Sequence, residues 1–273
     1  MARKVNGVGI GLRRPFYDGI LETRRRVDWL EITPENWVGR GGRRAAQLAA
    51  VAERFTVVPH AVSLNIGGPD PLNADFLTQM EALCRTIRAP FFSDHVCYSA
   101  VDGVQFHDLF PLPFTKEAVA HVVRRIQTVK RAFKRPFLLE NATFYAVMPG
   151  AQMDEPTFLR EVLQQADVGM VLDVNNIYVN WKNLGIDPIH VLNTLPLERV
   201  AYVHVAGHTP RDGMLIDTHI GPVPDGVWAL YAQLIKRTGP LPTLVEWDDH
   251  IPALDVILDE ADRARALQHP VAA

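Results

Sequence analysis

Nine side chains suited to metal binding recur in short blocks along the chain: His60, His95, Glu140, Asp173, Asn176, His204, Asp217, His219 and Glu246. All offer nitrogen or oxygen donors. Imidazole and carboxylate are the usual ligands of iron, manganese and zinc. One catalytic ion takes about three protein ligands and keeps a position open. Nine donors therefore suit two or three ions, with a carboxylate such as Glu140 bridging. Burying several carboxylates together is costly unless cations neutralise them. Taken singly, each residue also has an ordinary reading. His60 could be a structural histidine, Glu140 and Asp173 could pair with arginines, and Asp217 and His219 could form a loop ion pair. As a set they are harder to dismiss, because the separate explanations would have to coincide. His208, just beyond His204, reads as a ligand, a substrate contact or a surface loop histidine. Cys97 reads as a small buried apolar residue, and His250 as support behind the acids of its block. His107, His121, His190 and His269 read as solvated.

The elements that position these residues show in the hydropathy pattern. Eight short apolar runs appear in order: Gly7–Leu12, Trp29–Thr33, Thr56–Asn65, Pro90–Val96, Pro136–Asn141, Gly169–Asn175, Val200–Val205 and Pro242–Trp247. Near-continuous apolar strands are what a parallel sheet covered by helices needs. Helical patterns lie between them. Thr115–Phe133 carries Val119, Val122, Val123, Ile126 and Val129 at helical spacing. Asp154 and Pro156 open another helix, and Asp225–Thr238 ends at Gly239. Arg24–Arg26 reads as a solvated helix face, and Asn65–Gly68 as a turn. Alternating strand and helix implies βαβ units. Eight strands favour one (β/α)₈ TIM barrel over residues 1–273 rather than an open doubly wound sheet. In such a barrel the C-terminal ends of the strands share one mouth, where active sites lie. Most of the candidate donors fall at or just beyond those ends, so the barrel would bring them together.

Composition narrows the function classes. The chain has 273 residues, 48% hydrophobic and 22% charged, with net charge −3. That balance gives no electrostatic reason to expect nucleic acid or an anionic membrane surface. No apolar run is long enough for a transmembrane helix, and the N-terminus lacks the pattern of a secretory signal. Two cysteines, Cys84 and Cys97, do not make a disulfide scaffold, so a cytoplasmic setting is expected. Phosphate-loop, dinucleotide and G-x-S-x-G motifs are absent.

Seven blocks in order resemble a known superfamily: HAVSLNIGG (60–68), SDHVCY (93–98), LLENATFY (138–145), LDVNNIYV (172–179), HVAGH (204–208), DTHIG (217–221) and LVEWDDHIP (244–252). They are similar to those of the multinuclear non-haem iron-dependent oxidative enzymes, which include the methanobactin-biosynthesis enzyme. The resemblance spans almost the whole chain. It implies a barrel with two or three irons in mixed Fe2+/Fe3+ states. It further implies O₂ as co-substrate and oxidation of residues, often cysteines, in a ribosomally made precursor peptide. Many members act with a small leader-binding partner protein. The nine donors above become the implied ligands, and Asp94 and His208 become supports behind them or substrate contacts with a catalytic role. The residues alone leave two other readings open. One is a divalent-metal hydrolase or isomerase of the xylose-isomerase-like barrel type, and the other is a binding protein without catalysis.

Overall fold

The computed structural model describes residues 5–269. Its centre is eight parallel strands: β1 (Val8–Gly11), β2 (Leu30–Ile32), β3 (Val57–Pro59), β4 (Phe92–His95), β5 (Phe137–Glu140), β6 (Gly169–Asp173), β7 (Val200–Ala206) and β8 (Thr243–Glu246). The order across the sheet is β3-β2-β1-β8-β7-β6-β5-β4. A parallel bridge from His60 to Ser93 joins its two ends, with the Ala61 amide donating to the Ser93 carbonyl at 2.8 Å. The fold is thus a (β/α)₈ barrel; seven strands lie within the expected runs, and β7 extends one residue past its run, to Ala206.

The barrel interior explains where the chemistry sits. Side chains two residues apart on a strand share a face. Trp29, Val58, Phe91, Leu138, Val171, Tyr202 and Leu244 form an apolar cluster separate from the main core. Two residues further on, in the same seven segments, stand Glu31, His60, Ser93, Glu140, Asp173, His204 and Glu246. One inward position packs the floor, and the next carries a polar group at the mouth. β1 offers Gly9 at the floor: a Cβ there would lie 2.5 Å from the Trp29 indole, so the missing side chain makes room for the ring. The larger core cluster, including Leu48, Met80, Val122, Phe158 and Leu234, belongs to the barrel and its helices.

Helix ends follow local chemistry. Asn73, Thr115, Asp154 and Asp187 cap their helices through side-chain oxygens. β3 is shorter than the apolar run predicts. The amides of Val62 and Ser63 are taken by the Glu35 carboxylate at 2.9 and 3.0 Å, so the chain leaves the ladder after the His60 bridge. Arg24–Arg26 is not helical. Its Arg25 instead clamps Asp255, Asp259 and Asp262, tying this loop to the last helix, Leu254–Gln268. His121 is half-buried rather than solvated, with Nε2 3.0 Å from the Gly68 carbonyl. Two antiparallel hairpins lie outside the barrel: Tyr98–Val101 with Val104–Phe110, and Thr209–Arg211 with Met214–Ile216. No helix is long and apolar enough to cross a membrane among the described residues.

Glu155 opens the helix Glu155–Ala166 and is buried beside Phe114, Phe144 and Phe158. Burial, with help from Asp154, pushes its carboxyl up to about 8. The folded chain then holds a proton that the unfolded chain has lost, from the ordinary carboxyl range up to that value. Stability should fall as pH rises through this window. Each unit is worth about 1.4 kcal/mol at most. In urea titrations, Glu155→Gln should be more stable than the parent at pH 8 and should flatten its decline between pH 6 and 8. Parallel pH profiles for the two proteins would contradict this.

Candidate metal centre

His204 stands at the centre of the mouth, fully buried on β7. Its Nε2 is 3.2 Å from Glu31 Oε2. Its Nδ1 lies 3.2 Å from Glu140 Oε1, 3.1 Å from Glu246 Oε2 and 3.9 Å from Asp173 Oδ2. One imidazole therefore faces four carboxylates from four strands. Glu140 also meets His60 Nε2 at 3.0 Å and His95 Nε2 at 3.8 Å. His219 Nδ1 lies 3.4 Å from Glu246, and its Nε2 2.9 Å from Asp217. The contacts link eight of the nine expected donors into one cluster. Asn176 completes the set at the wall of the same cavity, which holds about 180 Å³. Its amide is engaged by Thr143 Oγ1 at 2.6 Å and the Asn141 carbonyl at 2.9 Å.

The cluster has too few protons and too many acceptors. Buried polar atoms almost always find hydrogen-bond partners. Here His95 Nδ1, both Glu140 oxygens, Asp173 Oδ2, His204 Nδ1, His219 Nε2 and Glu246 Oε2 have none. Ion-pair distances are met, but hydrogen-bond geometry is not. Neither Arg nor Lys pairs with Glu140 or Asp173 among the described residues, so the ordinary ion-pair reading of these acids fails. Three triads bring ligand atoms within 4.8 Å of one another: His60–Glu140–His204, Glu31–His204–Glu246 and Asp173–His219–Glu246. The shared residues Glu246 and His204 weld the triads together. Orphaned nitrogen and oxygen atoms in overlapping triads fit a centre of more than one metal ion, both in donor type and in number.

Electrostatics point the same way. Burial opposes the charged form of His204, yet Glu140, Glu31 and Glu246 overcome it and hold the pKa well above the ordinary range. The same contest raises His219, through Asp217 and Glu246. Burial also works against His95, but Glu140 and Asp94 bring it up to about 9. His60 goes well below its ordinary value, first through burial and then through His95 and His204. Asp173 is pushed well up by burial and by Glu140. Without metal, protons stand where cations would, and loading ions must expel them.

Neither Asp94 nor His208 lines the cavity. Asp94 is fully buried behind His95: its Oδ2 accepts from the Leu64 amide at 2.8 Å, and its Oδ1 lies 3.8 Å from His95 Nδ1. His208 is half-buried against the Tyr178 ring. Its Nδ1 meets Asn175 Oδ1 at 2.7 Å, while Asn175 Nδ2 donates to Asp217 Oδ1 at 2.7 Å. Asp217 only accepts, which fixes the Asn175 amide and puts the neutral His208 proton on Nδ1. His208 thereby holds Asp217 through Asn175. Cys97 is buried, and burial with Asp94 pushes its thiol well up, as suits an inert filler. His250, expected behind the acids, is instead exposed and away from the cavity.

Four further residues contribute to the site. Glu31 bonds to the Tyr202 hydroxyl at 2.8 Å besides facing His204. Tyr202 also meets Ser93 Oγ, which in turn lies 2.9 Å from His60 Nδ1 and orients that ring. Asp248 holds His219 Nδ1 at 2.9 Å, and Arg13 pairs with Asp248 and Glu246. Glu31 was detectable, since it follows Trp29 at the same two-residue step that marks Glu140 and Glu246. Arg13 follows β1, and no local signal points it inward.

Comparison with known proteins accords with this geometry. A family model described as "RiPP precursor modification enzyme MbnB/TglH/ChrH" matches residues 7–269. A UPF0276 protein of Anaeromyxobacter sp. is 42% identical over 266 residues, covering 97% of this chain and 94% of its own. A UPF0276 protein of Caulobacter vibrioides is 41% identical over 262 residues, with 96% and 94% covered. Among solved structures, the D-allulose 3-epimerase of Methylomonas sp. superposes with TM-score 0.62 at 13% identity, covering 98% and 97% of the two chains. The D-psicose 3-epimerase of Clostridium cellulolyticum gives 0.59 at 11%, covering 96% of each. At such identities the likeness is one of fold.

Proposed function

The chain belongs to the MbnB/TglH/ChrH family of RiPP precursor modification enzymes, and from that premise we propose that it is a multinuclear non-haem iron oxidase. It uses O₂ to modify residues, cysteine foremost, of a ribosomally made precursor peptide. The observation that carries the reading is the group of unpartnered buried donor atoms at the barrel mouth, of which those of His95, His219 and Glu246 belong to residues in the cavity wall. His60, His95, Glu140, Asp173, Asn176, His204, Asp217, His219 and Glu246 would hold two or three irons, and Glu31 joins them. Bound iron in mixed Fe2+/Fe3+ states supplies one-electron chemistry toward O₂ and acidity for a substrate thiol.

The remaining work falls to side chains of this chain. Ser93 and Asp94 orient His60 and His95 from behind, and the His208–Asn175 pair fixes Asp217. A cavity of about 180 Å³ is smaller than the roughly 300–1,000 Å³ of pockets for drug-sized ligands. It suits one side chain, with the rest of a peptide lying outside. The rim agrees with this. Six of the eight large exposed hydrophobics among the described residues, Val62, Val104, Phe106, Phe110, Tyr145 and Val147, lie in the segments after β3, β4 and β5. Exposed apolar clusters of this kind mark interaction surfaces. A small leader-binding partner protein would supply the remaining peptide affinity, and the setting would be the cytoplasm.

The test is anaerobic loading with Fe2+, followed by O₂ and peptides encoded by neighbouring short reading frames. O₂ uptake with a mass change confined to the peptide is expected. No uptake and no mass change across all candidates would count against the proposal. The shared barrel architecture favours a second reading, a divalent-metal isomerase or hydrolase. Bound zinc or manganese with no iron spectrum would select it.

A further inference from the structure

A second cavity, of about 350 Å³, opens beside the metal cavity, and both have Thr33 and Asp248 in their walls. Arg13, Arg14, Arg44 and Tyr17 also line it. Arg13 folds back over Gly11, where a Cβ would come within 2.9 Å of the guanidinium carbon. Arg44 sits in the first turn of the helix Gly42–Arg54, whose N-cap Gly41 offers the free amides no side-chain acceptor. That end of a helix favours anions. Arg13 is committed to Asp248 and Glu246. Arg14 and Arg44 form no ion pair with any acid among the described residues. Burial pushes the Tyr17 hydroxyl up, while Arg44, Arg13 and Arg14 pull against it, so all three guanidiniums lie within electrostatic reach of that oxygen. In a chain of net charge −3, two uncommitted arginines around one cavity are a local feature and not a basic surface.

We propose that this cavity is an anion subsite that takes a carboxylate of the bound peptide, close to the residue that enters the metal cavity. The identity of the ligand as a peptide rests on the function proposed above; its charge does not. Two planar guanidinium forks match a carboxylate in shape and hydrogen-bond pattern. Asp248 in the shared wall disfavours a dianion such as phosphate. The carboxylate can belong to an acidic side chain or to a peptide C-terminus.

Two probes separate these sources: N-acetylaspartic acid α-amide, with only a side-chain carboxylate, and N-acetylglycine, with only a terminal one. Each is titrated calorimetrically into the iron-loaded protein and into Arg14→Gln/Arg44→Gln, with inorganic phosphate as comparator. Coordination of a probe by the metals is common to both proteins, so the difference between them reads the subsite. Saturable binding of one probe that weakens at least tenfold in the double variant is expected. Arg14→Lys/Arg44→Lys, which keeps the charge and loses the fork, should fall between. Equal affinity in parent and double variant, no binding of either probe, or tighter binding of phosphate would overturn the proposal. None of these outcomes depends on turnover, so the subsite can fail while the peptide-oxidase reading stands.

Discussion

Glu140→Ala should lose at least one metal ion per chain and reduce O₂-dependent turnover by on the order of 100-fold or more, since its carboxylate would help hold the ions. Glu140 lies between His60, His95 and His204, and neither of its oxygens has a hydrogen-bond partner. Glu140→Gln controls for volume: it preserves the shape and removes the charge. Both variants should show a smaller rise in thermal midpoint on metal loading than the parent. If Glu140 served only as an ion-pair partner for histidines, the substitutions would change stability equally with and without metal. Metal content by elemental analysis, read beside the two melting curves, separates the outcomes. Unchanged metal content in both variants would exclude a ligand role for Glu140.

Metal removal should produce the second large effect. An ion held at a thousand times its dissociation constant stabilises the folded state by about 4 kcal/mol. For a chain of this size, each kcal/mol moves the midpoint by roughly 2–4 °C. Anaerobic chelation should therefore lower the midpoint by about 10 °C or more, and returning Fe2+ should restore it. The effect should also depend on pH. Protons on His95, His204 and His219, whose pKa values are raised in the metal-free protein, compete with the ions. Metal affinity should thus increase with pH as those protons leave. A midpoint indifferent to chelator would mean that the buried acids are satisfied by protons alone.

Much of this arrangement was legible because a barrel strand writes its inner face at every second residue. The triplets WLE, LLE, VLD, YVH and LVE each pair a floor residue with a mouth residue. The strand order followed from alternation of strand and helix, and convergence followed from the order. Arg13 and Asp248 were harder to place, since they follow strand ends in segments whose direction is set by tertiary contact. Glu31 and Tyr202 obey the two-residue step and needed only its consistent application. The two hairpins carry Asp102-Gly103 and Asp212-Gly213 at their turns, all four residues at positive φ. Asp-Gly is a strong hairpin signal, but neither flanking segment shows the long apolar run that marked the barrel strands. His208 and Asp94 illustrate a different limit: their neighbours in sequence are candidate ligands, yet their side chains point to supporting partners.

The donors gathered at the barrel mouth should hold more than one metal ion. Native mass spectrometry of the chain after anaerobic loading with Fe2+ tests it most directly, because it counts ions on intact molecules. Mass increments for two or three irons are expected, with fewer ions bound in Glu140→Ala. A single bound ion at saturation, or none, would contradict it.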